Sequence, residues 1–272
     1  MITSSLHNHC SLCDGIDTPE SMLIAANEAG IRDFGLSCHS FTDFDPEMSV
    51  ESERGYIDRI NELKNAHPVK TRLYLGTEED YFSPAKYRTE YDYIIGSVHY
   101  VPAGQGLAAV DISAEILRDT ADKFYGGDGY KLAEEYYRLV VLEAKRKPDI
   151  IGHFDLIRRY GGGIVDLGGR KYRDIALAAV DECLKTGAIF EVNYGGTGKG
   201  VISSPYPDAF LLDRIREKGG RVTVSTDCHD RRLIAHGLDR GEEYLASLGF
   251  TAITVMRDGK FAEEKIGRAQ TP

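Results

Sequence analysis

Apolar residues along this chain fall into short runs bounded by turn residues and spaced roughly 35 residues apart, the signature of repeating strand and helix units. Thr3 to His7, Asp33 to Ser37, Arg72 to Thr77, Tyr91 to Val98, Asp149 to Gly152, Ala188 to Asn193, Arg221 to Ser225 and Thr251 to Met256 predict strands. Between them, helical patterns cover Pro19 to Ala29, Val50 to Ala66, Ser113 to Phe124, Lys131 to Arg146, Lys171 to Lys185, Pro207 to Lys218 and Arg240 to Ser247. Thr18 offers an N-cap oxygen to the first helix. Alternating strands and helices imply a parallel sheet, and this number of units predicts a closed or nearly closed (β/α) barrel. An open doubly wound sheet is the structural alternative.

The chain has 272 residues, 42% of them hydrophobic, so one full core and a single domain over residues 1–272 are expected. The opening MITSSLHNHCS has no basic region followed by an apolar run, and no stretch approaches the ~20 apolar residues of a membrane span. A soluble cytoplasmic protein without membrane contact is therefore expected. Five cysteines, an odd number, argue for reduced thiols over a disulfide framework. The formal net charge of -10 argues against a nucleic-acid surface, which needs clustered Lys and Arg, and favours a small substrate. An anionic substrate is admitted where metals or a few arginines dominate the local field. The segment Gly161 to Arg170 (GGGIVDLGGR) has neither P-loop residues nor dinucleotide-fingerprint spacing, so it predicts a loop near the barrel mouth. Gly195 to Ser204 predicts a second one.

The chemistry concentrates at strand ends. Six of the eight histidines fall at or just past the C-terminal end of a predicted strand: His7, His9, His39, His99, His153 and His229. Asp14, Glu78 and Asp227 occupy equivalent places. A parallel barrel brings these ends to one face. Imidazole with carboxylate suits Zn, Mn or Fe, and nine ligands exceed the needs of one tetrahedral site, so two or three divalent ions are implied. Carboxylates packed at ~4 Å would otherwise repel by about 4 kcal/mol at an effective dielectric near 20. His67 and His236 lie outside the pattern and read as ordinary loop or core residues. Asn193, ending the sixth strand, is a candidate for substrate binding or for capping. Cys10 and Cys13 form a C-x-x-C, but with Cys38 and Cys228 they read as small residues packed behind the site.

In order and spacing, HNHCSLCDG, GLSCHS, GTEEDY, IIGSVHY, GHFDLIRRY, EVNYGG and STDCHD closely resemble the PHP (polymerase and histidinol phosphatase) family, within it the stand-alone histidinol-phosphatases. The resemblance runs from His7 to His229. It implies a distorted (β/α)7 barrel with three divalent metal ions, Zn, Fe or Mn, at the C-terminal ends of the strands. One ion would sit on His7, His9 and Asp227, bridged by Glu78 to a second on His99 and His153, with a third on Asp14, His39 and His229. Glu79 would point the opposite way. The implied activity is hydrolysis of a small phosphorylated substrate, histidinol phosphate, by a hydroxide bridging two metals. Arg158 in IRRY resembles the family's phosphate-binding arginine, although Arg159 stands beside it and only one can face inward. A metal-bound water and His229 are both candidates to protonate the leaving group. Alternatives are a PHP phosphoesterase acting on nucleotides or short oligonucleotides, a non-catalytic metal-binding regulatory module, and an amidohydrolase-like enzyme for which the third metal group has no purpose.

Overall fold

The protein is described by a computed structural model covering residues 2–66 and 69–267. Strands β1 (Ser4–Ser5), β2 (Asp33–Leu36), β3 (Arg72–Asp80) and β4 (Tyr93–Ser97) precede a hairpin of β5 (Tyr100–Ala103) and β6 (Gly106–Ala109). Then come β7 (Ile150–Ile151), β8 (Ile189–Asn193), β9 (Val222–Ser225) and a second hairpin, β10 (Ala252–Arg257) with β11 (Lys260–Lys265). The seven strands outside the hairpins form one parallel sheet in the order β1-β2-β3-β4-β7-β8-β9. Its edges meet at the mouth, where Asn8 and Cys228 form a parallel bridge and the His9 amide donates to the Cys228 carbonyl at 2.8 Å. The buried Asn8 carboxamide reinforces the seam, donating to the Gly35 carbonyl at 2.9 Å and accepting from the Thr226 hydroxyl at 2.8 Å. The result is a nearly closed barrel of seven strands.

Helices α1 (Pro19–Glu28), α2 (Glu53–Ala66), α3 (Ala114–Phe124), α4 (Gly129–Lys145), α5 (Arg158–Gly161), α6 (Arg170–Leu184), α7 (Gly195–Gly198), α8 (Ala209–Glu217) and α9 (Leu238–Ser247) flank it. Thr18 caps α1 through the Ser21 amide, and Ser113 and Asp128 cap α3 and α4 in the same way. The second helix starts later than expected from Val50, because Ser52 caps it by accepting from the Gly55 amide at 3.3 Å. Among the described residues no helix is long and apolar enough to cross a membrane.

Two cores hold the layers together. The larger one lies under the helices; the smaller one, Leu6, Tyr74, Tyr93, Ile95, Ile150, Ile189 and Met256, fills the barrel itself. The Tyr93 ring fits because Gly35 and Gly76 present no Cβ to it, and its hydroxyl donates to the Leu6 carbonyl. Met256 corrects one expectation. The run from Thr251 to Met256 is not a barrel strand: β10 pairs antiparallel with β11 and tucks Met256 into the barrel floor, with the Met256 amide bonded to Ser4 Oγ at 3.3 Å. An apolar run with period-2 alternation identifies a strand but not its sheet. The β5–β6 hairpin was not anticipated, since only the short AGQG turn marks it.

Outside the barrel wall, Glu79 and Glu143 are both buried. Glu79 pairs with Arg88 and accepts from the Ala85 amide at 3.0 Å, while Glu143 accepts from Arg146 at 2.9 Å. Burial, and then the Glu79 charge beside it, push Glu143 up to about 9. A carboxyl group raised in the folded state favours folding below its unfolded value of about 4.5 and progressively less as pH rises toward 9. Glu143→Gln removes that titration. Its stability relative to wild type is expected to increase between pH 5 and pH 9, with a slope of at most ~1.4 kcal/mol per pH unit, in denaturant unfolding followed by circular dichroism. A pH-independent difference would contradict the assignment.

Candidate metal centre

Along each barrel strand alternate residues face inward, so one strand supplies floor, support and ligand in succession. In β4 and its continuation, Tyr93 and Ile95 belong to the floor, Ser97 donates to Glu78 at 2.6 Å, and His99 reaches the mouth. In β3 the same alternation sends Glu78 inward and Glu79 outward, as expected of the two. Glu78 is 1% exposed and stands at the centre. Its Oε2 lies 3.0 Å from His7 Nε2, 3.4 Å from His9 Nε2 and 3.1 Å from His39 Nδ1. Its Oε1 lies 2.9 Å from His153 Nε2 and 3.4 Å from His99 Nε2. Asp227 Oδ1 is 3.3 Å from His9 Nε2 and 3.7 Å from His7 Nε2, and Asp14 Oδ2 is 3.1 Å from His229 Nε2.

All nine residues singled out in the sequence therefore meet at one mouth. Four sets each have donor atoms within 4.8 Å of one another: His9, Asp14, His39 and His229; His7, His9 and Glu78; His7, His153 and Asp227; and His39, Glu78 and His99. Asp14, His39 and His229 fall together as expected, with His9 joining them. His7 and Asp227 lie closer to His153 than the implied grouping required.

These residues fit cations on two counts. Among the described residues His7 Nε2, His9 Nε2, Glu78 Oε2, His99 Nδ1 and His153 Nδ1 are buried without an aligned hydrogen bond, although several face an oppositely charged neighbour at 3.0–3.4 Å, an arrangement suited to a cation placed between them. The titration behaviour agrees. Burial opposes charge on His7, but Glu191, Glu78 and Asp227 outweigh it and hold the imidazole well above its ordinary range. Burial likewise opposes ionisation of Glu78, and His7, His39 and His99 overcome it, holding the carboxyl well below its usual range. Asp14 and Asp227 are also depressed against burial, chiefly by His229 and His7 respectively. Burial drives His39 the other way, well below its ordinary value, and the neighbouring His9 and His99 add to this. Negative charge is thus stable here only beside positive charge.

Two further residues position the ligands. Glu191 is fully buried; it bonds His7 Nδ1 at 2.6 Å, accepts from the His153 amide at 2.8 Å and pairs with Ser225. Asn193 donates to Glu191 at 2.9 Å and to Asp227 at 3.2 Å, so it orients the cluster from beneath. Glu191 was missed in the sequence, though its period-2 spacing from Asn193 places it on the same inward face. Asp80, two residues after Glu78, was missed in the same way: it accepts from the His99 amide at 2.7 Å. Asp227 has φ 46°, in the left-handed region that non-glycine residues rarely occupy. A Cβ on Gly195 would sit 2.8 Å from Asp227 Cβ, so only glycine permits that approach.

The cluster opens into a cavity of ≈ 390 Å³. Arg159 lines it and Arg158 does not, which corrects the sequence expectation. Arg158 is spent elsewhere: it pairs with Asp155 at 3.1 Å, donates to the Ser204 and Pro205 carbonyls and stacks on Tyr206. Arg159 faces the cavity beside Asp111, 3.4 Å away. The rim adds Asp45, Glu47, Met48, Ile112 and Lys199, and Tyr100 donates to Asp45 at 2.6 Å. His236 shares a hydrogen bond with Thr197 at 3.0 Å, as an ordinary structural histidine would. His67 lies outside the described residues.

Fold and site together define an α/β-barrel protein with a histidine and carboxylate cluster at the C-terminal mouth. The chain belongs to the PHP family, whose PHP domain profile matches residues 5–195. A "Probable histidinol-phosphatase" of Schizosaccharomyces pombe is 24% identical over 263 residues, 88% of this chain and 84% of that protein. One of the same name from Deinococcus radiodurans is 29% identical over 241 residues, 82% and 85% of the two chains. Among solved structures, hisK from Listeria monocytogenes superposes with a TM-score of 0.73 at 17% identity, covering 86% of this chain and 98% of that one. Histidinol phosphate phosphatase from Lactococcus lactis, complexed with zinc, L-histidinol and phosphate, gives 0.66 at 17% identity, covering 96% and 100%.

Replacing Glu191 with Gln is expected to weaken metal retention by roughly 10–100-fold, because it removes the carboxylate that orients His7. Competition titration with a chromophoric chelator measures this. Unchanged affinity would show that the buried carboxylate is only structural.

Proposed function

We propose that this protein is a hydrolase of phosphoric monoesters that converts L-histidinol phosphate and water into L-histidinol and phosphate, a step of histidine biosynthesis. The observation that carries this reading is one cavity joining three chemistries: the ligand cluster at its base, the Arg159 guanidinium on its wall, and the carboxylates of Asp45 and Glu47 at its rim. A phosphoryl group fits the first two, and the amine and imidazole of histidinol fit the third. The similarity to proteins named histidinol-phosphatase supports the same substrate.

His7, His9, Asp14, His39, Glu78, His99, His153, Asp227 and His229 would hold two or three divalent ions of the Zn, Fe or Mn type. When bound, such ions supply positive charge to phosphoryl oxygens and lower the pKa of water from ~15.7 toward 7. The protein supplies everything else. Glu191 fixes His7, and Asn193 fixes Asp227, so the donor atoms stay convergent before substrate arrives. Arg159 offers fixed donors to a non-bridging phosphoryl oxygen, and Asp111 holds it on the wall. The rim carboxylates orient the cationic end of the substrate away from the cluster. Tyr206 and Leu156 add apolar surface to the cavity lining beside the ligands.

Phosphate release with L-histidinol phosphate and with a nucleoside 3′,5′-bisphosphate tests the reading. Turnover of the first, abolished by chelation and restored by Zn, Mn or Fe, is expected; turnover of the second alone would favour a nucleotide phosphoesterase. Bound ions with no turnover of any monoester would instead indicate a regulatory metal-binding module. Arg159→Ala is expected to lower kcat/KM by roughly 10²-fold, with Arg158→Ala acting mainly on thermal stability. Asp45→Asn should raise KM for histidinol phosphate more than for p-nitrophenyl phosphate, which has no cationic end.

A further inference from the structure

Three thiols lie together behind the cluster, packed into the larger core, and the proposed hydrolysis does not use them. Cys10 and Cys38 are fully buried with their sulfurs 3.4 Å apart, Cys10 one residue after the candidate ligand His9 and Cys38 one residue before the candidate ligand His39. The turn after β1 folds Cys13 back over them. The Cys13 and Gly15 amides donate to the Cys10 carbonyl at 3.0 and 3.1 Å, and the Cys13 thiol lies 3.4 Å from that carbonyl. Cys13 also sits 3.5 Å from His9 Nδ1, on the same side of the turn as the Cys10 and Cys38 pair. Of the three, only Cys13 is partly exposed. Cys183 and Cys228, the remaining cysteines, are buried, and Cys228 donates to the Asp230 carbonyl at 2.8 Å.

We propose that Cys13, Cys38 and Cys10 form a peroxide-responsive thiol relay that reversibly disables the adjacent centre. A hydroperoxide reaches Cys13 first. Its O–O bond breaks as an S–O bond forms, oxidising the sulfur to sulfenic acid and leaving water or alcohol. The Cys38 sulfur then displaces that oxygen as water, which carries off the Cys38 proton, and a Cys13–Cys38 disulfide results. Attack by Cys10 on the Cys38 sulfur moves the bond to Cys10–Cys38 and returns a proton to Cys13. Closing sulfurs from 3.4 Å to the ~2.05 Å of a disulfide draws together the chains just past β1 and β2. His9 and His39 ride on those chains, so their donor atoms move with the bond.

The regulatory half rests on the proposed function; the thiol chemistry does not, and the test reads them separately. Zinc-reconstituted protein, which has no redox-active metal, is treated with hydrogen peroxide, alkylated, digested and examined by mass spectrometry, alongside metal content and phosphatase activity. A disulfide within the trio, reversed by dithiothreitol, with Cys183 still free, is expected, together with at least a tenfold loss of activity or metal affinity. Cys13→Ser should slow Cys10–Cys38 formation at least tenfold, and Cys183→Ser should leave it unchanged. Cys38→Ala should accumulate a dimedone-reactive Cys13, which keeps the relay testable if Cys13→Ser folds poorly. Three free thiols after peroxide treatment, or equally fast coupling in Cys13→Ser, overturns the relay. A disulfide that leaves metal affinity and activity intact overturns the regulation, and an enzyme inactive before oxidation counts against the proposed substrate alone.

Discussion

Glu78 is a carboxylate removed from water and ringed by five imidazoles, those of His7, His9, His39, His99 and His153. A buried anion costs several kcal/mol unless compensated. Asp227 and Asp14 lie in the same cluster, and two unit charges ~4 Å apart still interact by about 4 kcal/mol at an effective dielectric near 20. The site must therefore collect positive charge, as protons on imidazoles or as metal ions. Protons can serve only some positions, since His39 is driven toward neutrality by burial and by its neighbours while His7 is driven toward charge. Metal ions satisfy every position at once, because they use neutral imidazole and ionised carboxylate together.

That constraint reaches down through the barrel in layers. The floor of Leu6, Tyr93, Ile95, Ile150, Ile189 and Met256 is apolar. Above it Ser97, Glu191 and Ser225 form a polar tier that bonds upward to Glu78 and His7. The ligands form the third tier. Because each tier comes from successive inward residues of the same strands, a register slip of one residue would send ligands outward and floor residues to the mouth. Barrel closure matters for the same reason: Asn8 and Thr226 join the first and last strands directly beneath His9 and Asp227.

Much of this was legible in the sequence because it follows from two periodicities. Strand ends and intervening helices located the mouth, and the nine donors were found by their position at those ends. What escaped was the supporting tier. Glu191 lies inside a strand, where a lone carboxylate reads as ordinary surface unless the register of the inward face is already fixed. The Arg158 and Arg159 pair shows a similar limit: adjacent residues at the start of the short α5 diverge, and the carbonyls of Ser204 and Pro205 that capture Arg158 lie 46 and 47 residues away. The β10 strand was recognisable, but its antiparallel partner β11 carries the polar sequence KFAEEK and left no apolar signal.

On the proposed function, a protein with a net charge of -10 must accommodate an anionic substrate. Screening settles the range of the conflict: beyond ~8–10 Å of ionic atmosphere the distant acidic residues contribute little, and the groups within the cavity decide. There Arg159 is paired with Asp111, and Asp45 and Glu47 outnumber Lys199 at the rim. A polyanion such as an oligonucleotide would set its outer phosphates against that rim. A substrate with one phosphoryl group and a cationic opposite end meets favourable charge at both, so on the proposed function the rim discriminates by substrate polarity rather than by affinity for phosphate.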